Sequence, residues 1–219
     1  MARGALLDKF EVAEVPVEAI QMRSGAFVPG GAESVSRKVL KDLVRGTRAP
    51  VLVRPVGSGY EIIAGDIEFL AASKQGQDRV QVQVADLSDR DALLLRLLEG
   101  GSRGDVNVAE EAEIIRDLNR EHGLTQHEIA IRCDRVQSTI ANKLRLLKLP
   151  EEVLRSLRYG EIGERHARAL LKVKDGDKQL TIFRKCLRSR MSASDVESMC
   201  VAAAGSQFRA RQSRSQRGV

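Results

Sequence analysis

The stretch LTQHEIAIRCDRVQSTIANKLRLLKLP, residues 124–150, reads as two short helices separated by a three-residue turn. Thr125 is a good N-cap, and Glu128 stands three residues later as its capping-box partner. Ile129 and Ala130 belong to the first helix, and Cys133, Asp134 and Arg135 form the turn. Val136 to Leu147 makes the second helix, and Pro150 stops it. Within it Ile140, Leu144 and Leu147 recur at helical spacing and are expected to pack inward. That leaves Gln137, Ser138, Thr139, Asn142, Lys143 and Arg145 around the remaining surface. The pattern is a helix-turn-helix. A second helix with a polar start can offer side-chain and backbone donors to a duplex.

The charge around this stretch points the same way. Residues 121–219 carry 20 Lys/Arg against 11 Asp/Glu, whereas residues 1–120 carry 16 against 19. The basic half therefore reads as the part that meets nucleic acid. Trp is absent, with five Phe and two Tyr, so base stacking on aromatic platforms is not the expected mode. Duplex grooves and backbone phosphates are the better target. Arg135, Lys143, Arg145, Arg165 and Arg168 are candidates for phosphate or flanking contacts, with His166 beside them. Gln137, Ser138, Thr139 and Asn142 are candidates to reach base edges, with individual bases left open. No stretch has the apolar length of a membrane span. A cytoplasmic, nucleoid-associated protein is expected. Cys133, Cys186 and Cys200 lack metal-site spacing and read as buried free thiols.

Upstream the periodicity changes. Residues 12–20 read as a short strand and turn, and residues 36–45 as a helix ended by Gly46. VLVRP (51–55) is a strand closed by Pro55, GSGY a turn and YEIIA (60–64) a second strand. A helix follows Gly65, residues 80–86 alternate as a half-buried strand, and residues 89–98 are helical again. The expected fold class is α+β: a small mixed α/β domain over 1–98, then an all-α domain over 109–204. Glycines at 100, 101 and 104 make 99–108 a hinge, and 205–219 is a basic tail with four arginines. Beyond the helix-turn-helix, helices are expected over 109–122, 151–158, 163–171 and 177–189. A last one runs to residue 202, with Ser194 and Glu197 as its capping pair.

These residues resemble the ParB chromosome and plasmid partition family, whose layout nucleoid-occlusion proteins and KorB-like regulators share. STIANKLRLLKLPEEV (138–153) and HARALL (166–171) carry the likeness in the basic half. VLVRP, YEIIAG (60–65) and the Ala71–Ala72 pair carry it in the other half. The resemblance implies a sequence-specific double-stranded DNA binder, acting as a homodimer in segregation or transcriptional regulation. A ParA-like ATPase is the partner it implies. It also implies an N-terminal pocket for CTP with Mg²⁺ that closes a sliding clamp. By that likeness Arg23, Gly46, Gly65, Asp66, Glu99 and Arg103 are the cofactor-binding positions, and Glu99 the metal ligand. The sequence departs from the family there. Asp66, Ile67 and Glu68 replace the Glu-Arg-Arg that follows the phosphate-motif glycine, and Gly100 replaces an asparagine. Donors for a triphosphate are lost and a repelling acid is gained. The expectation is a DNA binder with no required cofactor, and a CTPase only if the pocket is retained. A protein-interaction or dimerisation role for residues 1–98 is the other alternative.

Overall fold

The computed structural model describes residues 10–23, 50–100 and 106–203. The first part holds β1 (Glu11–Pro16), a 3-10 turn (Val17–Ala19) and β2 (Ile20–Gln21). Then come β3 (Val51–Val56), β4 (Gly59–Ala64), α1 (Asp66–Lys74), β5 (Arg79–Val84) and α2 (Asp89–Leu95). A wider π turn, Arg96–Gly100, prolongs α2. The strands form one mixed sheet in the order β1-β5-β3-β4-β2, with β3 parallel to β5 and antiparallel to β4. Alternation along β3 sorts the core. Val51 and Val53 face one side with Ile62, Val82 and Phe69 of α1, while Leu52 faces the other with Ile63, Ala92 and Leu95 of α2.

Two glycines shape this sheet. Gly57 opens the β3–β4 turn at φ 58°. Gly65 starts α1 at φ 100°, and a Cβ there would lie 2.9 Å from Val51 Cα. Gly65 is thus the N-cap of α1. Pro55 does not close β3, which runs on to Val56. Only Val51–Val53 pair with β5, so one edge of the strand is free at Pro55, where a missing N–H is tolerated.

The helical part comprises α3 (Val108–Arg120), α4 (Gln126–Arg132), α5 (Gln137–Leu146), α6 (Glu151–Arg158), α7 (Glu164–Leu170) and α8 (Gly176–Ser189). Residues 193–203 form α9. Asn107 caps α3, accepting from the N–H groups of Ala109 and Glu110 at 3.0 Å each. Ser192 and Asp195 cap α9 reciprocally, in place of the expected Ser194–Glu197 pair.

One core crosses the segment read as a hinge. Leu93, Leu94, Leu97 and Val106 pack with Ile114, Ile115, Ile129 and Ile140 of α3, α4 and α5. A second core joins Leu146, Val153, Leu157, Leu170, Phe183 and Val196. The three cysteines are free and buried, and burial pushes the Cys133 and Cys200 thiols up to about 11. Among the described residues, no helix is long and apolar enough to cross a membrane. The helix expected over 36–45 and the tail over 205–219 lie outside the described residues.

Candidate nucleic-acid interface

The helix-turn-helix consists of α4, the 133–136 turn and α5. The Thr125–Glu128 capping box is complete: Glu128 N–H donates to Thr125 Oγ1 at 3.2 Å, and Thr125 N–H to the Glu128 carboxylate at 2.9 Å. Those bonds, the backbone one first, hold the Glu128 carboxyl below its ordinary range. Asp134 takes φ 50° at the turn, a left-handed conformation that Asp tolerates better than most side chains.

Glu111 on α3 sets α5 in place. It is buried and takes Arg135 at 2.9 Å on one oxygen and Lys143 on the other. Arg135 also donates to the Leu97 carbonyl at 3.4 Å. Lys143 is 6% exposed and reaches Glu164, the first residue of α7, at 2.9 Å. This corrects the placement of Lys143 on the remaining surface of the second helix. Lys143 lies on the inward face with Ile140 and Leu146, while Leu144 and Leu147 are only half-buried. The ammonium can be inward because two carboxylates neutralise it there. Arg135, half-buried, holds the turn against α3. Lys143→Met is accordingly expected to lower stability by about 2 kcal/mol, from the carboxylates left behind. The salt dependence of DNA binding should not change, which urea melts and a salt titration together check.

His166 is likewise engaged within the fold. Its Nδ1 accepts from the Gly163 N–H at 3.3 Å, and its Nε2 lies 3.2 Å from the Met191 carbonyl. The neutral tautomer protonated at Nε2 satisfies both bonds. His166 thus starts α7 and ties it to the α8–α9 connection.

What these ties produce is a cleft of about 280 Å³ between α5, α7 and α9. Asn142, Arg145, Arg165 and Arg168 line it, four of the candidates, joined by Lys172 and Glu197. Lys172 and Glu197 pair at 2.5 Å, which leaves three exposed or partly exposed guanidinium side chains to set the sign of the cleft. Ser138, Asn142 and Arg145 stand at i, i+4 and i+7 along one face of α5. Gln137 and Ser138 are exposed at its start, and Thr139 is half-buried. The sequence reading missed Lys172, Glu111 and Glu164. A charged residue on a helix carries no local sign of partners that lie far along the chain.

A second cleft, about 210 Å³, lies between the sheet and α3. Arg23, Arg54 and Arg96 line it, each held by acids. Arg23 pairs with Asp117 at 3.4 Å, and Arg54 with Glu61 at 2.7 Å and Asp89 at 2.6 Å. Arg96 is 1% exposed; it donates to Glu110 at 2.6 Å, to Asp66 at 3.0 Å and to the Ile63 carbonyl at 3.3 Å. Burial would lower the Arg96 pKa, but Asp66 and Glu110 carry it above its ordinary value. Asp66, a cofactor-binding candidate, is thus fully buried under Arg96 at the start of α1. Gly65 caps that helix, and Glu99 lies in the π turn. Gly46 and Arg103 are outside the described residues. Among the described residues, four carboxylates face three guanidinium groups around this cleft. Of the described cofactor-binding candidates only Arg23 lines this cleft, and the described guanidinium donors in it are already matched by acid, which disfavours a triphosphate there.

The chain matches the family description "ParB N-terminal domain" over residues 4–101 and "ParB HTH domain" over residues 104–204. It is 43% identical over 166 residues to the chromosome-partitioning protein Spo0J of Thermus thermophilus, covering 75% of this chain and 61% of that protein. It is 36% identical over 194 residues to a nucleoid occlusion protein of a Geobacillus species, covering 87% of this chain and 68% of that protein. Among solved structures it resembles the C-terminally truncated chromosome-partitioning protein ParB of Caulobacter crescentus complexed to the centromeric parS site. The TM-score there is 0.50 and the identity 30%, over 87% of this chain and all of the other. The chain thus spans roughly two thirds of its curated relatives' length, and the two matched domains account for both of its halves. It belongs to the ParB and nucleoid-occlusion family of partition proteins.

Proposed function

We propose that this protein is a sequence-specific double-stranded DNA-binding protein acting in chromosome or plasmid segregation, with transcriptional regulation as the related role. The observation that carries this is the cleft beside α5, where Asn142, Arg145, Arg165 and Arg168 converge. Arginines there engage phosphates on either side of a groove, and the Ser138–Asn142 face of α5 meets base edges. The parS complex of the Caulobacter relative supports the same reading. The protein works as a homodimer on a site with matching symmetry, and a ParA-like ATPase is the partner that a segregation role calls for. We read its DNA binding as independent of nucleotide, because among the described residues Arg23, Arg54 and Arg96 are each paired with acids. The CTP-driven clamp therefore has less support than direct binding.

The test is binding to a pool of random duplexes at several salt concentrations, followed by calorimetry with CTP and Mg²⁺. A preferred sequence with salt-sensitive affinity is expected, together with no heat from CTP and no change in affinity on adding it. Equal affinity for every duplex overturns the site-specific reading. Saturable heat from CTP overturns nucleotide independence.

A further inference from the structure

Six large apolar side chains are exposed among the described residues, and two of them flank the helix-turn-helix turn. Ile131 is the penultimate residue of α4 and Val136 immediately precedes α5, each 66% exposed. Val136 is the N-cap of α5 and gives it no side-chain hydrogen bond. Ser88, Asn107, Thr125 and Asp175 all cap their helices with side-chain oxygens. A β-branched aliphatic residue is among the poorest choices at that position. Neither the core nor the helix start accounts for Val136.

Its neighbours do. The next two residues, Gln137 and Ser138, are exposed at the tip of α5, and the same helix continues into the arginine-lined cleft. A recognition helix enters the major groove by its N-terminal end. The thymine 5-methyl is the apolar group that a base pair presents in that groove. We infer that Val136 is a specificity-determining residue that packs against a thymine methyl beside the bases met by Gln137 and Ser138. This rests on the DNA-binding reading above. It adds an apolar reader to a set of polar ones and fixes a T·A pair at the tip of α5.

The test compares two probes: the duplex that the wild-type chain selects from a random pool, and the same duplex with every dT replaced by dU. The wild type is expected to bind the dU duplex about fourfold more weakly, the effect of one buried methyl group. Val136→Ser should bind both duplexes alike, at the weaker level. Serine caps a helix where valine does not, so this variant should melt at or above the wild-type temperature. Lost binding cannot then be put down to misfolding. Equal wild-type affinity for the two duplexes overturns the inference, as does an undiminished thymine preference in Val136→Ser or a selected site without thymine. A selection that returns no preferred sequence overturns the DNA-binding reading itself, and this inference with it.

Discussion

Replacing Arg96 with leucine should destabilise the fold by about 3–5 kcal/mol. Arg96, Asp66 and Glu110 are all at most 1% exposed, and one guanidinium serves two carboxylates. Removing it leaves two buried acids without a cation. The three residues stand on the π turn, α1 and α3, so the loss also loosens the sheet from the helical half. Replacing Asp66 and Glu110 by leucine as well should restore most of the stability, since a packed apolar trio avoids the burial of charge altogether. The effect depends on pH. Burial raises the Asp66 and Glu110 pKa values above 3.8 and 4.5, with Arg96 offsetting part of the rise. A carboxyl whose folded pKa is raised favours the folded state while it is protonated. That contribution is fully present below the unfolded value and is lost as pH climbs to the folded one. Without Arg96 both folded values rise further. The deficit of Arg96→Leu should therefore be largest at neutral pH and shrink as pH falls towards 4. Urea denaturation across that range measures it, and a deficit that is constant with pH would contradict the account.

The other large effect falls on DNA. Arg145→Ala/Arg165→Ala/Arg168→Ala should weaken duplex binding on the order of 10²-fold at 0.15 M salt. The slope of log K against log salt should become shallower by about 2.7, the value for three phosphate contacts. All three side chains are exposed and line the cleft beside α5, so the melting temperature should hardly move. An unchanged salt slope would remove this cleft as the phosphate-binding surface. Lys143 should behave differently. That residue sits on the same helix but is buried between Glu111 and Glu164, so its loss should appear in stability and not in the slope.

Much of the architecture could be read before the structure because its signals are short in range. The Thr125–Glu128 box, the Gly57 turn, the alternating β5 and the helices from α4 to α8 each depend on residues within a few positions. The family motifs extend that reading to function, since residues 138–153 and 166–171 are contiguous. Where the reading failed, the deciding partner was distant. Periodicity drew Ile140, Leu144 and Leu147 inward and left Lys143 outside; Ile140 is buried as expected, but two carboxylates from other helices hold Lys143 inward, and Leu144 and Leu147 are only half-buried. Ser194 and Glu197 have capping spacing, yet Ser192 and Asp195 form the cap, and Glu197 turns instead to Lys172.

The sequence by itself determined the two-part layout, the helix-turn-helix and the sign of the charge in each half. Backbone propensity, capping and net charge are local or additive, so no fold is needed to sum them. Only the tertiary structure decided which charges remain available. Arg145, Arg165 and Arg168 are exposed along one cleft, while Lys143, Arg135 and Arg96 are matched by acids from other elements. The physical reason is that a side chain's charge acts outward only if burial has not paired it, and pairing is a property of three-dimensional neighbours that no spacing along the chain records.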